Sequence, residues 1–96
     1  MKTVTFNKEK LTVEISQYSS NGRPSIELFS KQGEPWIVAS VNIPELNIPE
    51  GHTFIRNYAE NSGILEALCN QGIVQDTGRA FPSGYVKVNL VKILTN

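Results

Sequence analysis

The sequence predicts an α+β fold: an antiparallel sheet built from a three-stranded meander plus later strands, with one short helix packed on it. Its length of 96 residues fits a single domain, 1–96. Ile, Val and Thr together number 23 residues against 4 Ala, which favours strands because β-branched side chains pack well on a pleated sheet. Alternation of apolar and polar residues, interrupted by one stretch of helical period, is the second observation.

The meander lies in the first half of the chain. Residues 11–18 alternate between apolar and polar side chains, which is typical of a half-buried strand. The pair Asn21-Gly22 is a strong hairpin signal because both residue types tolerate positive φ. Residues 36–41 are apolar on both faces, so we expect them to form a central strand. The sequence thus predicts strands over 11–18, 25–30 and 36–41, joined by turns at 20–24 and 31–35.

The second half of the chain changes its period. Residues 42–51 contain two prolines and no periodicity, which predicts a loop. Apolar residues at helical spacing predict a helix over 62–71, with Asn61 or Ser62 as its N-cap and Gly72 at its C-terminal end. The remaining predicted elements are a short strand over 52–55, turns at 76–79 and 82–84, and a last strand over 85–94.

The last predicted strand has an irregular pattern. Its alternation holds up to Leu90 and then shifts phase at Val91. A β-bulge near these residues would account for the shift, as would a strand that leaves the edge of the sheet. We expect Lys87 and Lys92 on this strand to protect a sheet edge.

Composition and charge exclude several function classes. Nine basic residues balance nine acidic ones, which argues against a general nucleic-acid binder. One cysteine and one histidine are too few for an internal disulfide or a structural zinc site. The glycines are isolated and form no phosphate-binding loop, so we expect no cofactor and no metal. Apolar runs of signal-peptide or membrane-helix length are absent from the sequence, and we expect a cytoplasmic protein without a membrane partner.

Nucleophilic catalysis would depend on two residues. Cys69 is the only thiol and His52 the only imidazole, and a catalytic pair needs a thiolate and a base within hydrogen-bond reach. Cys69 lies within the apolar pattern of the predicted helix, where a cysteine is usually a small buried hydrophobe. We therefore expect that the protein is not an enzyme.

The segment 56–62, just ahead of the predicted helix, has the densest set of binding groups. Free amides and the helix dipole at that end favour an acidic or carbonyl ligand. The candidate ligand-binding residues are Arg56, Asn57, Tyr58, Glu60 and Asn61, with Arg79 from a later turn. In the other interpretation the segment is purely structural, and Asn57, Asn61 or Ser62 caps the helix. Arg56 then pairs with Glu60, and Tyr58 covers the edge of the core.

Several short motifs together resemble a known family. They are Asn-Gly-Arg at 21–23, Val-Asn-Ile-Pro-Glu at 41–45, Tyr-Ala-Glu-Asn at 58–61, Thr-Gly-Arg at 77–79 and Ser-Gly-Tyr-Val at 83–86. In this order they resemble a family of small uncharacterised proteins, a domain of unknown function, of Gram-positive bacteria and their plasmids, phages and integrative elements. The resemblance covers residues 11–94 and implies no activity or catalytic residue. It implies a cytoplasmic accessory protein of a mobile element.

These observations favour a small non-enzymatic module that binds another protein. The alternative is a domain that binds a small ligand or nucleic acid through the segment 56–62. Trp36 and Tyr85 offer stacking surfaces for bases, but the balanced charge makes nucleic acid the weaker reading. Because a meander leaves an open sheet edge, both a monomer and a homodimer are compatible with the sequence.

Overall fold

The structure, a computed structural model, describes residues 2–94. Within this range, eight strands form two four-stranded antiparallel sheets, accompanied by one short α-helix and a 3-10 turn at Ala59–Asn61. The elements in chain order are β1 (Lys2–Phe6), β2 (Glu9–Gln17), β3 (Pro24–Phe29), β4 (Pro35–Val38), β5 (Ser40–Val41), β6 (His52–Ile55), α1 (Ile64–Asn70), β7 (Val74–Ser83) and β8 (Val86–Ile93). The predicted α+β class is confirmed, with two sheets in place of the one expected.

The first sheet follows chain order, β1-β2-β3-β4. Val13 of β2 lies opposite Leu28 of β3, and both side chains are buried, whereas the intervening Glu14 is exposed. This period-two burial is the pattern predicted for the meander. β1 was not expected from the sequence, and it extends the meander by one strand through its pairing with β2.

The prediction of one central strand over 36–41 is wrong. The chain forms β4 at the edge of the first sheet, passes through Ala39, and forms β5 at the edge of the second sheet. Ala39 is fully buried between them: its N–H donates to Ile26 O at 2.9 Å, and its carbonyl accepts from the Arg56 N–H at 2.8 Å. The apolar residues of this stretch therefore face two different environments, and Trp36 is 53% exposed.

The second sheet has the order β5-β6-β8-β7, so the last strand is central. Lys92 of β8 pairs on both sides, with His52 of β6 and Gln75 of β7, so the prediction that it protects a sheet edge is wrong. Lys87 is exposed and pairs with Pro82 of β7, and it lies outside the stretch of β8, residues 89–92, that pairs with β6. Leu90 and Val91 are 2% and 0% exposed, because the two faces of β8 pack against two different hydrophobic clusters. The phase shift in the sequence marks burial on both faces.

The turn predicted at 76–79 lies inside β7, a strand that the sequence did not reveal. The register between β7 and β8 shifts between Asp76 and Ala80. The β-bulge predicted near Leu90 therefore lies on β7, the strand opposite, and β8 stays in the sheet to its end. The side chain of Thr77 donates to Leu90 O at 2.8 Å, and Asp76 Oδ1 accepts from the Gly78 N–H at 2.9 Å. Turn chemistry here stabilises a bulge within a strand.

Two hydrophobic clusters stabilise the fold. The main core contains buried residues from both sheets and from α1, including Leu28, Val91 and Leu68. A second cluster, of Phe54, Val88 and Leu90, lies on the other face of the second sheet. The predicted loop 42–51 is confirmed as a stretch without strands or helices, and the side chains that it packs on the second cluster are Ile43, Leu46 and Ile48.

The helix α1 is shorter than predicted and begins two residues later. Its N-cap position is occupied by Gly63, with φ +97°, so the prediction of Asn61 or Ser62 at this position is wrong. Gly72 has φ +70°, the left-handed conformation expected just after the helix. In the described part of the chain, no helix has the length and apolar character needed to cross a membrane.

Candidate functional site

Asn57 is the residue that caps the helix, from six residues ahead of Gly63. Its side-chain Oδ1 accepts from the N–H of Gly63 and from the N–H of Leu65, both at 3.0 Å. These are two of the free amides that begin every helix. The acceptor side of Asn57 is therefore occupied by the protein itself, as the structural interpretation of the segment predicted.

Asn61 connects the 3-10 turn to the first sheet. The residue is 6% exposed, and its Nδ2 donates to Val38 O, at the end of β4, over 3.1 Å. A buried amide that bonds a strand carbonyl fixes the turn in place. Asn57 and Asn61 thus hold the segment in position through bonds within the protein. Of the predicted binding residues in this segment, Arg56, Tyr58 and Glu60 are left to contact a ligand.

Arg56 and Tyr58 form a stacked pair at the end of β6. The guanidinium carbon of Arg56 lies 5.7 Å from the centroid of the Tyr58 ring, and the ring packs against the second cluster. Tyr58 therefore covers the edge of a core, as predicted. Arg56 contacts the Tyr58 ring and not Glu60, the partner expected from the sequence; Glu60 is exposed.

Arg79 forms a second stacked pair, with a residue that the sequence did not single out. Its guanidinium carbon lies 5.1 Å from the centroid of the Phe81 ring. Phe81 packs against the second cluster and meets Phe54 edge-to-face, with ring centroids 5.5 Å apart. Phe81 was missed because β7 was predicted as turns, and residues 79–83 have no alternation of apolar and polar side chains that would indicate a strand.

The two stacked pairs border the same hydrophobic cluster, and we call Arg56, Tyr58, Arg79 and Phe81 the arginine–aromatic rim. The structure thus brings the predicted residues Arg56, Tyr58 and Arg79 to the periphery of one cluster, although the first two follow β6 and the third lies on β7. At these distances each guanidinium is in cation–π contact with its ring.

Arg23 holds the loop that covers the second cluster. Its guanidinium donates to Ile43 O at 2.9 Å and to Leu46 O, while the side chains of both residues pack on the cluster. A planar guanidinium can bond two carbonyls at once, which an ammonium group does less well. Arg23 is therefore a structural residue that keeps the loop beside the rim.

Cys69 and His52 lie in environments with different consequences for chemistry. Burial raises the pKa of the Cys69 thiol; a hydrogen bond with the Asp76 backbone opposes this shift, and the charge of Asp76 adds to it. A raised pKa disfavours the thiolate that a nucleophile requires. The His52 ring bonds the Glu50 carbonyl at 3.0 Å through Nδ1. Neither arrangement activates a nucleophile.

Two open depressions are found on the described surface. One, of about 320 Å³, lies on the first sheet and is lined by Thr12, Glu14, Phe29, Ser30, Lys31 and Gly33. The other, of about 410 Å³, lies between the turn that joins β2 to β3 and the end of the loop 42–51, and includes Arg23 and His52. Within residues 2–94, no three His, Cys, Asp or Glu side chains are grouped as a metal site requires.

Comparison of the chain with protein-family models, curated proteins and solved structures gives no match. The family resemblance therefore stays a prediction, and functional inference depends on the geometry of the rim and of the sheet surfaces.

Proposed function

We propose that the protein is a small non-enzymatic module that binds another protein, and that its arginine–aromatic rim takes an acidic segment of that partner. The observation that carries the proposal is the pair of stacked guanidinium groups, Arg56 on Tyr58 and Arg79 on Phe81, at the border of one hydrophobic cluster. Each ring limits the freedom of its guanidinium before binding, which lowers the entropic cost of ordering it.

The chemistry of the rim favours carboxylates. A guanidinium offers parallel N–H donors that match the two oxygens of a carboxylate, and charge-assisted bonds of this kind are stronger than neutral ones. The half-buried Tyr58 and Phe81 rings add apolar surface beside the charges, and aromatic and arginine residues are the ones that dominate protein interfaces. An acidic segment with an apolar side chain next to its carboxylates could bind the guanidinium groups through the carboxylates and pack its apolar side chain on the rings.

The competing candidate is single-stranded nucleic acid, which also binds arginine and aromatic groups. Such binders usually track the phosphate backbone with a broad basic groove. This chain has as many acidic as basic residues, so we favour the protein partner.

The test compares two fluorescent probes by anisotropy: a peptide of alternating Glu and Leu, and a single-stranded oligothymidine. We expect the peptide to bind more tightly than the oligothymidine. The double variant Arg56→Gln/Arg79→Gln should weaken peptide binding about tenfold or more, since a charge-assisted hydrogen bond contributes about 1.5–3 kcal/mol. The control Lys8→Gln/Lys31→Gln removes two positive charges from exposed residues elsewhere and should bind nearly as the original protein does.

Three results would overturn the proposal. They are no binding of the peptide, equal losses in the two double variants, and tighter binding of the oligothymidine that depends on Arg56 and Arg79. The last would establish the nucleic-acid alternative. Circular dichroism of both variants checks that the fold is intact. We expect it to be, because neither Arg56 nor Arg79 is among the buried residues.

The role of the protein as an accessory of a mobile element, and its cytoplasmic location, follow from the resemblance and from the sequence. We propose them as the biological setting of the binding module. Neighbouring genes of plasmid, phage or integrative-element type would support this setting, and a neighbourhood of housekeeping genes would contradict it.

A further inference from the structure

The outer face of the first sheet exposes large apolar side chains. Trp36 is 53% exposed and Val38 is 48% exposed, both on the edge strand β4. They project from the same side of the sheet because side chains two residues apart share a face. Phe29, on the neighbouring strand, is half-buried and lines the depression of about 320 Å³. Clustered apolar surface of this kind commonly marks an interaction site.

Two carboxylates share this face with the apolar residues. Glu14 of β2 lies directly opposite Glu27 of β3, and Glu27 in turn lies opposite Val38 of β4. Like charges directly across a ladder destabilise a sheet. Among residues 2–94, no cation is in register with the row Glu14–Glu27–Val38, and Lys31 lies at the depression, outside this row.

We propose that this face, the Trp36 face, is a second docking surface, and that its occupant is a basic segment of a partner protein. A lysine or arginine side chain of the partner would lie between Glu14 and Glu27 and relieve their repulsion. An adjacent apolar side chain would pack on Trp36 and Val38. This goes beyond the proposed function, because it gives the module two surfaces of opposite charge preference, one on each sheet.

The contact would be made by side chains and not by adding a strand to β4. That strand has four residues, begins with Pro35, and has a register shift opposite Leu28 and Phe29. The carbonyl of Val38 is already bonded by Asn61. Short length, proline, bulges and covered groups are the features that keep an edge strand from pairing with another chain.

Charge also argues against a second copy of this chain as the occupant. A symmetric dimer through the Trp36 face would place the Glu14–Glu27 pairs of both copies in one interface and so bring like charges together. A basic partner reverses the sign of that interaction.

The chain contains its own probe for the test, since Trp36 is its only tryptophan. A peptide of alternating Lys and Leu is titrated into the protein while Trp36 emission is recorded. We expect a saturable blue shift as the ring leaves water, and weaker binding at high salt. The variant Glu14→Gln/Glu27→Gln should raise the apparent Kd about tenfold or more. The control Glu9→Gln/Glu45→Gln, with the same charge change at exposed residues, should behave nearly as the original protein does.

Other outcomes would overturn the inference. An unchanged emission at peptide concentrations in the millimolar range would do so, as would equal losses in the two double variants. A blue shift that grows with protein concentration alone, together with a dimer mass by light scattering, would identify a second copy as the occupant. The variant Arg56→Gln/Arg79→Gln should keep the Trp36 response, so failure of the rim proposal and failure of this one are distinguishable.

Discussion

The two sheets of this protein expose different kinds of surface. In the first sheet one face packs on the main core, and the other, with Glu14, Glu27 and Trp36, is open to solvent. In the second sheet the inner strand β8 is buried on both faces at Leu90 and Val91, because Leu90 faces one cluster and Val91 the other. A partner that binds the first sheet can contact the whole outer face of that sheet. A partner that binds the second sheet can contact only the arginine–aromatic rim, because the loop 42–51 covers the second cluster.

The main core and the second cluster also differ in what they contribute to stability. The main core brings together strands of both sheets and the helix, whereas the second cluster has three buried residues and depends on a loop for its cover. The main core should thus determine global stability, and the second cluster should determine the order of the loop and of the arginine–aromatic rim.

The largest effect is expected in the main core. Leu28 is fully buried there, so Leu28→Ala should lower the free energy of unfolding by about 2–5 kcal/mol. Leu46, in the loop over the second cluster, is only partly buried, and Leu46→Ala should cost about 1 kcal/mol because the loop can adjust. Urea unfolding of both variants measures the difference. Equal losses would show that the second cluster is as important as the main core.

A smaller effect is expected at the loop clamp. Arg23→Lys removes the simultaneous bonds to Ile43 O and Leu46 O and should cost about 1–2 kcal/mol. Hydrogen exchange should then become faster in residues 42–51 while the main core keeps its protection. Arg79→Lys, at an exposed position, is the control and should change stability by less than about 0.5 kcal/mol. Unchanged exchange in the loop would contradict the clamp.

Loss of the helix cap comes next. Asn57→Ala leaves the Gly63 and Leu65 amides without their acceptor and should cost about 1 kcal/mol. Asn57→Asp keeps an oxygen at the same place and should retain most of the stability. The two melting temperatures give the comparison, and an equal loss in both variants would mean that the capping bonds are not the cause.

The smallest effect has the opposite sign. Glu27→Gln removes the like-charge repulsion with Glu14 and should stabilise the protein by about 0.2–0.5 kcal/mol at low salt. The gain should disappear in 1 M salt, where the charges are screened. Destabilisation by this variant would show that Glu27 has a favourable role in the folded sheet.

Local patterns predicted β2, β3, β6 and β8, but not β1, the break of 36–41 into β4 and β5, or β7. The alternation over 11–18 and the Asn21-Gly22 signal concern strands that pair with their chain neighbours, and β6 was predicted with the bounds that it has. β7 was missed because the bulge around Gly78 resembles a turn in sequence, and only the distant Leu90 carbonyl stabilises it as part of a strand.

The candidate site shows the same limit. Arg56, Tyr58 and Arg79 were chosen by residue type, and the structure adds Phe81, which the pattern could not supply without the strand that holds it. The cap was predicted from the rule that the residue just before a helix accepts its amides. Asn57 performs this role from further upstream, because the 3-10 turn brings it back to the helix start.

Ala39 has a consequence for how the molecule can move. It is the single residue between β4 and β5, and an extended chain covers at most about 3.6 Å per residue. A connection this short keeps the two sheets close together. The Ala39 N–H bonds Ile26 of the first sheet, and the Ala39 carbonyl bonds Arg56, the residue that follows β6 of the second sheet. Residues 36–39 and one hydrogen bond link Trp36 to the backbone of Arg56, so a partner on the Trp36 face and a partner on the arginine–aromatic rim would be held in a fixed relative position.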